Sequence, residues 1–259
     1  MTPLIELQNV TVRRDERVAL DGVTLSIAQG EHIAILGPNG SGKSTLIKLI
    51  SRDLYPVQKP EPWTLRIMGQ ERWHLFDLRH HLGIVSNDWM QICTRDYSAY
   101  EIVLSGFFGS VGIWPNHQVT PDMETKARDL MRFLEIGHLA ERNTNEVSSG
   151  EARRILIARA LVHGPRALVL DEPSTSLDLR ATHEMREILR KLAGNGISIV
   201  MVTHHLPDII PEMHRVVLFR DGAVFYDGPK EQVLSAEMLS ALFRVPVEVL
   251  ERGGYYHVL

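Results

Sequence analysis

The stretch Gly37-Pro38-Asn39-Gly40-Ser41-Gly42-Lys43-Ser44-Thr45 decides the fold of this chain. It follows His32-Ile33-Ala34-Ile35-Leu36, which reads as a buried strand, and it precedes Leu46, Leu49 and Ile50, whose spacing is helical. A glycine-rich loop between a strand and a helix is the setting a phosphate cradle requires. Glycines let backbone N–H groups approach phosphate oxygens, and the helix N-terminus adds positive potential. Lys43 has the length to reach the β- and γ-phosphates, and the Ser44 hydroxyl can ligate Mg²⁺. The string therefore marks a nucleoside triphosphate site.

Composition sets the frame around that loop. The 259 residues are enough for one large domain, or a core with an inserted lobe, that buries about 70–75% of its unfolded surface. A single cysteine, Cys93, leaves no internal disulfide and fits a reducing compartment. Glu6 interrupts the apolar run a secretory signal needs, and no uncharged apolar stretch approaches the ~20 residues that cross a bilayer. A formal net charge of -4 gives no footprint for general nucleic-acid binding, so no nucleic acid is expected as a partner. The pairs His80-His81 and His204-His205 lack zinc-type spacing to a second ligand pair.

Outward from the loop, alternation over residues 4–12 and 18–27 predicts antiparallel strands, with a turn expected at Asp21-Gly22. Residues 63–68 read as a further strand. Nearly all-apolar runs at 83–85, 167–170 and 197–202 read as strands covered on both faces. Helical periodicity over 122–134, 151–162 and 181–192 alternates with them, which predicts an α/β fold. Residues 216–219 and 223–226 flank Asp221-Gly222 as a hairpin, and helical pieces occupy 232–243. The stretch from Asn87 to about Arg154 lacks strand patterns and reads as an inserted helical lobe. Within it, the twelve residues 103–114 carry no charge, as core of the lobe or as an apolar surface for a partner.

A phosphate loop of this kind needs a carboxylate on a neighbouring strand. Ala167-Leu168-Val169-Leu170-Asp171-Glu172-Pro173 supplies an apolar strand ending in two acids. Asp171 is placed to support the metal, directly or through water, and Glu172 to polarise the attacking water.

With Val147-Ser148-Ser149-Gly150-Glu151 the chain resembles a known family. Ser148 lies 23 residues before Asp171, and the segment looks like the signature motif of the ATP-binding cassette (ABC) ATPases. Ser176-Leu177-Asp178 is similar to that family's D-loop, and Val202-Thr203-His204 to its switch histidine. The resemblance covers nearly the whole chain. It implies a P-loop, RecA-like α/β core with an N-terminal antiparallel β subdomain and an inserted helical subdomain: residues 1–87 and 155–259 as core, 88–154 as the helical part. It also implies ATP and Mg²⁺, with His204 sensing the γ-phosphate. Head-to-tail dimerisation follows as well, Ser148 and Gly150 of one copy, with Ser149 and Glu151 beside them, covering the phosphate held by Lys43 of the other. Homodimer and heterodimer both remain open.

Three positions depart from the family pattern. Arg14, with Val18 nearby, stands where an aromatic residue usually stacks on adenine, and a guanidinium plane can stack in its place. Asn87 stands where the family has a glutamine contacting Mg²⁺ or its water; its side chain is about 1.5 Å shorter. Ser149 replaces the first signature glycine. Within the family, a lone cassette with no span of its own looks like the energising subunit of a membrane transporter, peripheral on the cytoplasmic face. Residues 101–106 and the tail from Gly228 look like importer ATPases of the metal-chelate branch. A weaker likeness points to a subgroup named for molybdenum transport and photorepair. The alternatives are a non-transport ABC ATPase in DNA repair or translation, and a nucleotide-binding regulator, against which intact Glu172 and His204 argue.

Overall fold

Two compact units divide the chain, one of residues Met1–Leu75 with Ser198–Leu259 and one of residues Phe76–Ile197. The structure is a computed structural model and describes residues 2–86, 90 and 96–259.

The first unit begins with β1 (Ile5–Arg14) and β2 (Arg17–Ile27), which pair antiparallel, and β4 (Thr64–Ile67) pairs with the other edge of β1. Alternation buries Leu7, Leu25, Ile27, Leu65 and Ile67 on one face. Its parallel strands are β3 (Ile33–Leu36), β7 (Ser198–Thr203) and β8 (Arg215–Arg220), joined by the antiparallel β9 (Ala223–Pro229) in the order β7-β3-β8-β9. Every residue of β3 and β7 is buried, as the apolar runs Ile33–Leu36 and 199–202 demand. The register sets Leu36 between Thr203 and Leu218, so β3 and β7 end level where the glycine-rich loop begins and β8 runs two residues past it. The carboxyl ends of parallel strands are where α/β folds bind ligands.

Two turns differ from expectation. The β1–β2 turn lies at Asp15-Glu16, and Asp21-Gly22 sits inside β2 as a bulge. Val10 pairs with Val23 and Val12 with Leu20, which leaves Thr11 facing two residues, and the Gly22 N–H donates to Thr11 Oγ1 at 3.0 Å. Gly22 has φ +57°, so the same left-handed glycine serves a bulge as readily as a turn. A hairpin not expected from the sequence, β10 (Val249–Arg252) with β11 (Tyr255–Val258), turns at Gly253-Gly254, both with positive φ. The helices Lys230–Val233 and Ala236–Phe243 precede it.

In the second unit β5 (Leu82–Val85) and the wholly buried β6 (Ala167–Asp171) pair in parallel. With the parallel strands of the first unit and its antiparallel N-terminal sheet, this is the α/β class expected. The helices Pro121–Phe133, Ser149–Leu161 and Leu179–Gly194 start within a few residues of their predicted bounds. The helix Leu75–His81 had no clear periodic signal. The uncharged stretch divides: Val103, Leu104 and Ser105 are buried in the helix Ala99–Ser105, whereas Trp114 is 57% exposed. A Cβ at Gly106 would lie 2.4 Å from the Arg159 carbonyl, so this glycine lets the helix end rest on the backbone of Ser149–Leu161.

Phe219 on β8 is fully buried. Phe219→Ala is expected to lower the unfolding free energy by about 3–5 kcal/mol, read from the denaturation midpoint in urea.

Candidate functional site

The loop after β3 is shaped by what its backbone touches. A Cβ at Gly37 would stand 2.1 Å from the Phe219 carbonyl oxygen, and one at Gly42 would stand 2.6 Å from the Ala19 carbonyl oxygen. Gly42 also has φ +104° and caps the helix Lys43–Ile50, a conformation closed to side chains. The Gly222 N–H donates to the Ser41 carbonyl at 2.9 Å, and its own carbonyl accepts the Asp21 N–H at 2.9 Å. The hairpin turn of β8 and β9 thereby ties the loop to β2.

Lys43 is 4% exposed, and its ammonium lies inside the loop. There it donates to the Gly37 carbonyl at 2.8 Å and the Pro38 carbonyl at 2.9 Å. Asn39, Gly40 and Ser44 face solvent, while Ser41 and Thr45 are buried. The result is a ring of main-chain groups around one fixed cation at the head of a helix, a cradle built for phosphate oxygens.

The parallel register brings this loop beside the end of β7. The Gly37 N–H points to the Thr203 carbonyl at 3.4 Å, and half-buried His204 follows directly, its ring 3.8 Å from that of His205 between centroids. Arg14 and Val18 are both exposed at the tip of the β1–β2 hairpin, on facing strands. The first unit thus holds the cradle, the histidine and two exposed candidates for a base-facing edge.

The second unit collects the remaining predicted residues. Asp171 closes β6 and is buried, and Glu172 takes the next position with φ +49°. The Glu172 carboxylate accepts the Thr175 hydroxyl at 3.1 Å, and its carbonyl accepts the Thr175 N–H, which folds the chain back after the strand. The Ser44 hydroxyl and Asp171 carboxylate are hard oxygen donors of the kind Mg²⁺ takes. Asn87, the third expected donor, lies outside the described residues.

Ser148 caps the helix Ser149–Leu161 with a full capping box. Its hydroxyl donates to Glu151 Oε2 at 2.8 Å and accepts the Glu151 N–H at 3.3 Å, while the Ser148 N–H donates to the same carboxylate at 2.8 Å. Burial alone would raise the Glu151 carboxyl, but the Ser148 bonds and nearby Arg154 and Arg142 hold it below the usual range. Ser149 reaches the D-loop, its hydroxyl donating to the Ser176 carbonyl at 3.3 Å, and a Cβ at Gly150 would lie 3.0 Å from the Ala181 Cβ. Ser176 has φ +67°, Leu177 is half-buried, and Asp178 caps the next helix through the Ala181 N–H at 2.7 Å. The two segments expected as signature and D-loop are therefore one packed corner.

Sequence reasoning missed the residues that act through their main chain. Ala19 and Phe219 shape the loop with carbonyl oxygens, which leave no mark on residue type. Gly222 was legible as a turn but not as a brace.

The chain is similar to known proteins in sequence and in fold. The ABC transporter family pattern fits residues 20–175. The uncharacterized ABC transporter ATP-binding protein YlmA of Bacillus subtilis (strain 168) is 32% identical over 254 residues, which cover 95% of this chain and 93% of that protein. The hemin import ATP-binding protein HmuV of Nitrobacter winogradskyi is 32% identical over 272 residues, covering 100% of this chain and 95% of that one. The dimeric structure of MJ0796, a bacterial ABC transporter cassette, is similar with a TM-score of 0.69 and 26% identity, covering 87% of this chain and 98% of that chain.

The capping box predicts a pH-dependent contribution to stability. Ser148→Ala should cost about 0.5–2 kcal/mol at neutral pH. Because the Glu151 carboxyl is held low, its contribution is present above the ordinary carboxylate range and is lost as pH falls through the lowered value. The stability gap between the natural protein and Glu151→Gln should narrow on acidification, as a pH series of denaturation curves would read out.

Proposed function

The chain is an ATP-binding, ATP-hydrolysing cassette of the ABC transporter family, and from that premise we propose that it energises a membrane importer by head-to-tail closure of two cassettes. The observation that carries the reading is the backbone-built loop with the Lys43 ammonium fixed inside it. The hemin-import relative and the importer-like tail support the importer direction and a metal-chelate type of cargo. Partners in this reading are membrane-spanning subunits and a second cassette, with the chain working at the cytoplasmic face. Among the described residues no helix is long and apolar enough to cross a membrane.

In this mechanism ATP lies along the loop, its β- and γ-phosphates taking the Lys43 donors. Arg14 and Val18 border the base. Ser44 and Asp171 would hold Mg²⁺, with Asn87 as the third expected contact, and the ion would supply charge neutralisation on the phosphate oxygens. Glu172 orients and deprotonates the attacking water, and His204 donates to the γ-phosphate. The water-polarising carboxylate and the phosphate cradle reach working order once Ser148 and Gly150 of the second cassette cover the phosphate. There the N-terminus of the Ser149–Leu161 helix adds a positive end to a developing negative charge. Closure and hydrolysis are then one coupled event.

Two experiments test this reading. Glu172→Gln should cut turnover by at least about 10² and trap an ATP-bound dimer, and adding Ser148→Arg should return it to monomer. Size-exclusion chromatography with light scattering in ATP and Mg²⁺ reads both, and a double variant that dimerises as well as the single one removes Ser148 from the shared site. Trp114→Asp should reduce copurification of the membrane subunit while basal hydrolysis stays near the natural rate. Unchanged copurification would move the docking surface elsewhere.

A further inference from the structure

Two side chains outside the expected catalytic set hold the turn that carries His204. The Thr203 hydroxyl donates to Asp208 Oδ2 at 2.8 Å and accepts the His205 N–H at 3.0 Å. The second bond closes a Ser/Thr turn with His204 at its centre, which restricts the backbone of that one residue. The first bond anchors the hydroxyl to a carboxylate that is 3% exposed. Asp208 is fixed in turn, because its N–H donates to the His205 carbonyl at 3.2 Å within the short helical turn Leu206–Asp208. The Thr203 carbonyl, at the other end of the residue, faces the Gly37 N–H of the phosphate loop. Thr203 therefore links the histidine turn to the cradle through its side chain on one side and its main chain on the other.

We propose that Thr203 and Asp208 are positioning residues for His204. The Asp208 carboxylate orients the Thr203 hydroxyl, the hydroxyl pins the His205 amide, and the pinned peptide aims the imidazole of His204. A buried, charge-assisted O–H···O⁻ bond is among the stronger constraints a turn can carry. It is spent on a residue whose task needs aim, since a displacement of about 1 Å at a reacting group costs on the order of 10² in rate. The residue whose hydroxyl holds the turn also meets the loop, through its carbonyl and the Gly37 N–H. The inference rests on the reading of His204 as the group that meets the γ-phosphate.

The test is a mutant cycle on the full chain, with ATP turnover, KM and nucleotide affinity by calorimetry. Thr203→Val keeps the shape and removes both bonds; it should lower kcat about tenfold or more with KM and affinity nearly unchanged. Thr203→Ser keeps the hydroxyl and should restore most of that loss. In a His204→Ala background, Thr203→Val should have little further effect, because positioning has no object once the imidazole is gone. The inference is overturned if Thr203→Val turns over normally, or if it slows His204→Ala by the same factor as the natural protein, the mark of a purely structural role. If His204→Ala itself hydrolyses at the natural rate, the histidine reading falls and this one with it; loss in His204→Ala without loss in Thr203→Val sinks the positioning role alone. Should Thr203→Val show no cooperative melting transition, the isosteric Asp208→Asn carries the same cycle, and additivity with His204→Ala overturns the proposal.

Discussion

Main-chain packing around Gly37 and Gly42 is the constraint on which the first unit depends. With 2.1 Å between a notional Cβ and the Phe219 carbonyl, and 2.6 Å to that of Ala19, the loop is clamped between β2 and β8. The clamp needs both sheets of that unit in register, so an antiparallel sheet with no catalytic side chain of its own still sets the shape of the cradle. It also explains the bulge at Asp21-Gly22. The Asp21 N–H bonds the Gly222 carbonyl, and Gly222 bonds Ser41 in turn. A regular β2 would present a different set of main-chain groups at that point.

Electrostatics in the two units follow one pattern. Each unit holds a candidate helix N-terminus, headed by Gly42 in one and Ser148 in the other, and each end is built by different means. The first relies on glycine and an internal lysine. The second relies on a serine–glutamate box whose carboxylate already answers the helix end. Ser149 and Gly150 then pack that helix against Ser176 and Ala181 as one corner.

The local settings of the candidate residues were legible because pattern records them: a glycine string after an apolar strand, two acids at a strand end, a serine three residues before a glutamate. The buried strands read correctly for the same reason. What the sequence concealed falls into two kinds. Glycine signals were ambiguous between uses, as with Asp21-Gly22, where only the pairing of Val10 with Val23 and Val12 with Leu20 selects a bulge. Interactions made by peptide groups were invisible, as at Ala19 and Phe219, because any residue supplies a carbonyl. The uncharged run at 103–114 is divided, with Val103, Leu104 and Ser105 buried in the helix Ala99–Ser105 and Trp114 exposed.

The Ser148 hydroxyl owns a single proton, and the Glu151 carboxylate already has it. An incoming anion that wants this donor must win it by exchange, and the swap leaves Glu151 a bond poorer with a second negative charge approaching. A hydrogen bond formed by exchange adds little net affinity. It is correspondingly easy to undo, because the carboxylate waits in place to reclaim its partner. A donor with a built-in competitor favours release over grip. The depth of that competition is set by one side chain, the Glu151 carboxylate that accepts the Ser148 hydroxyl.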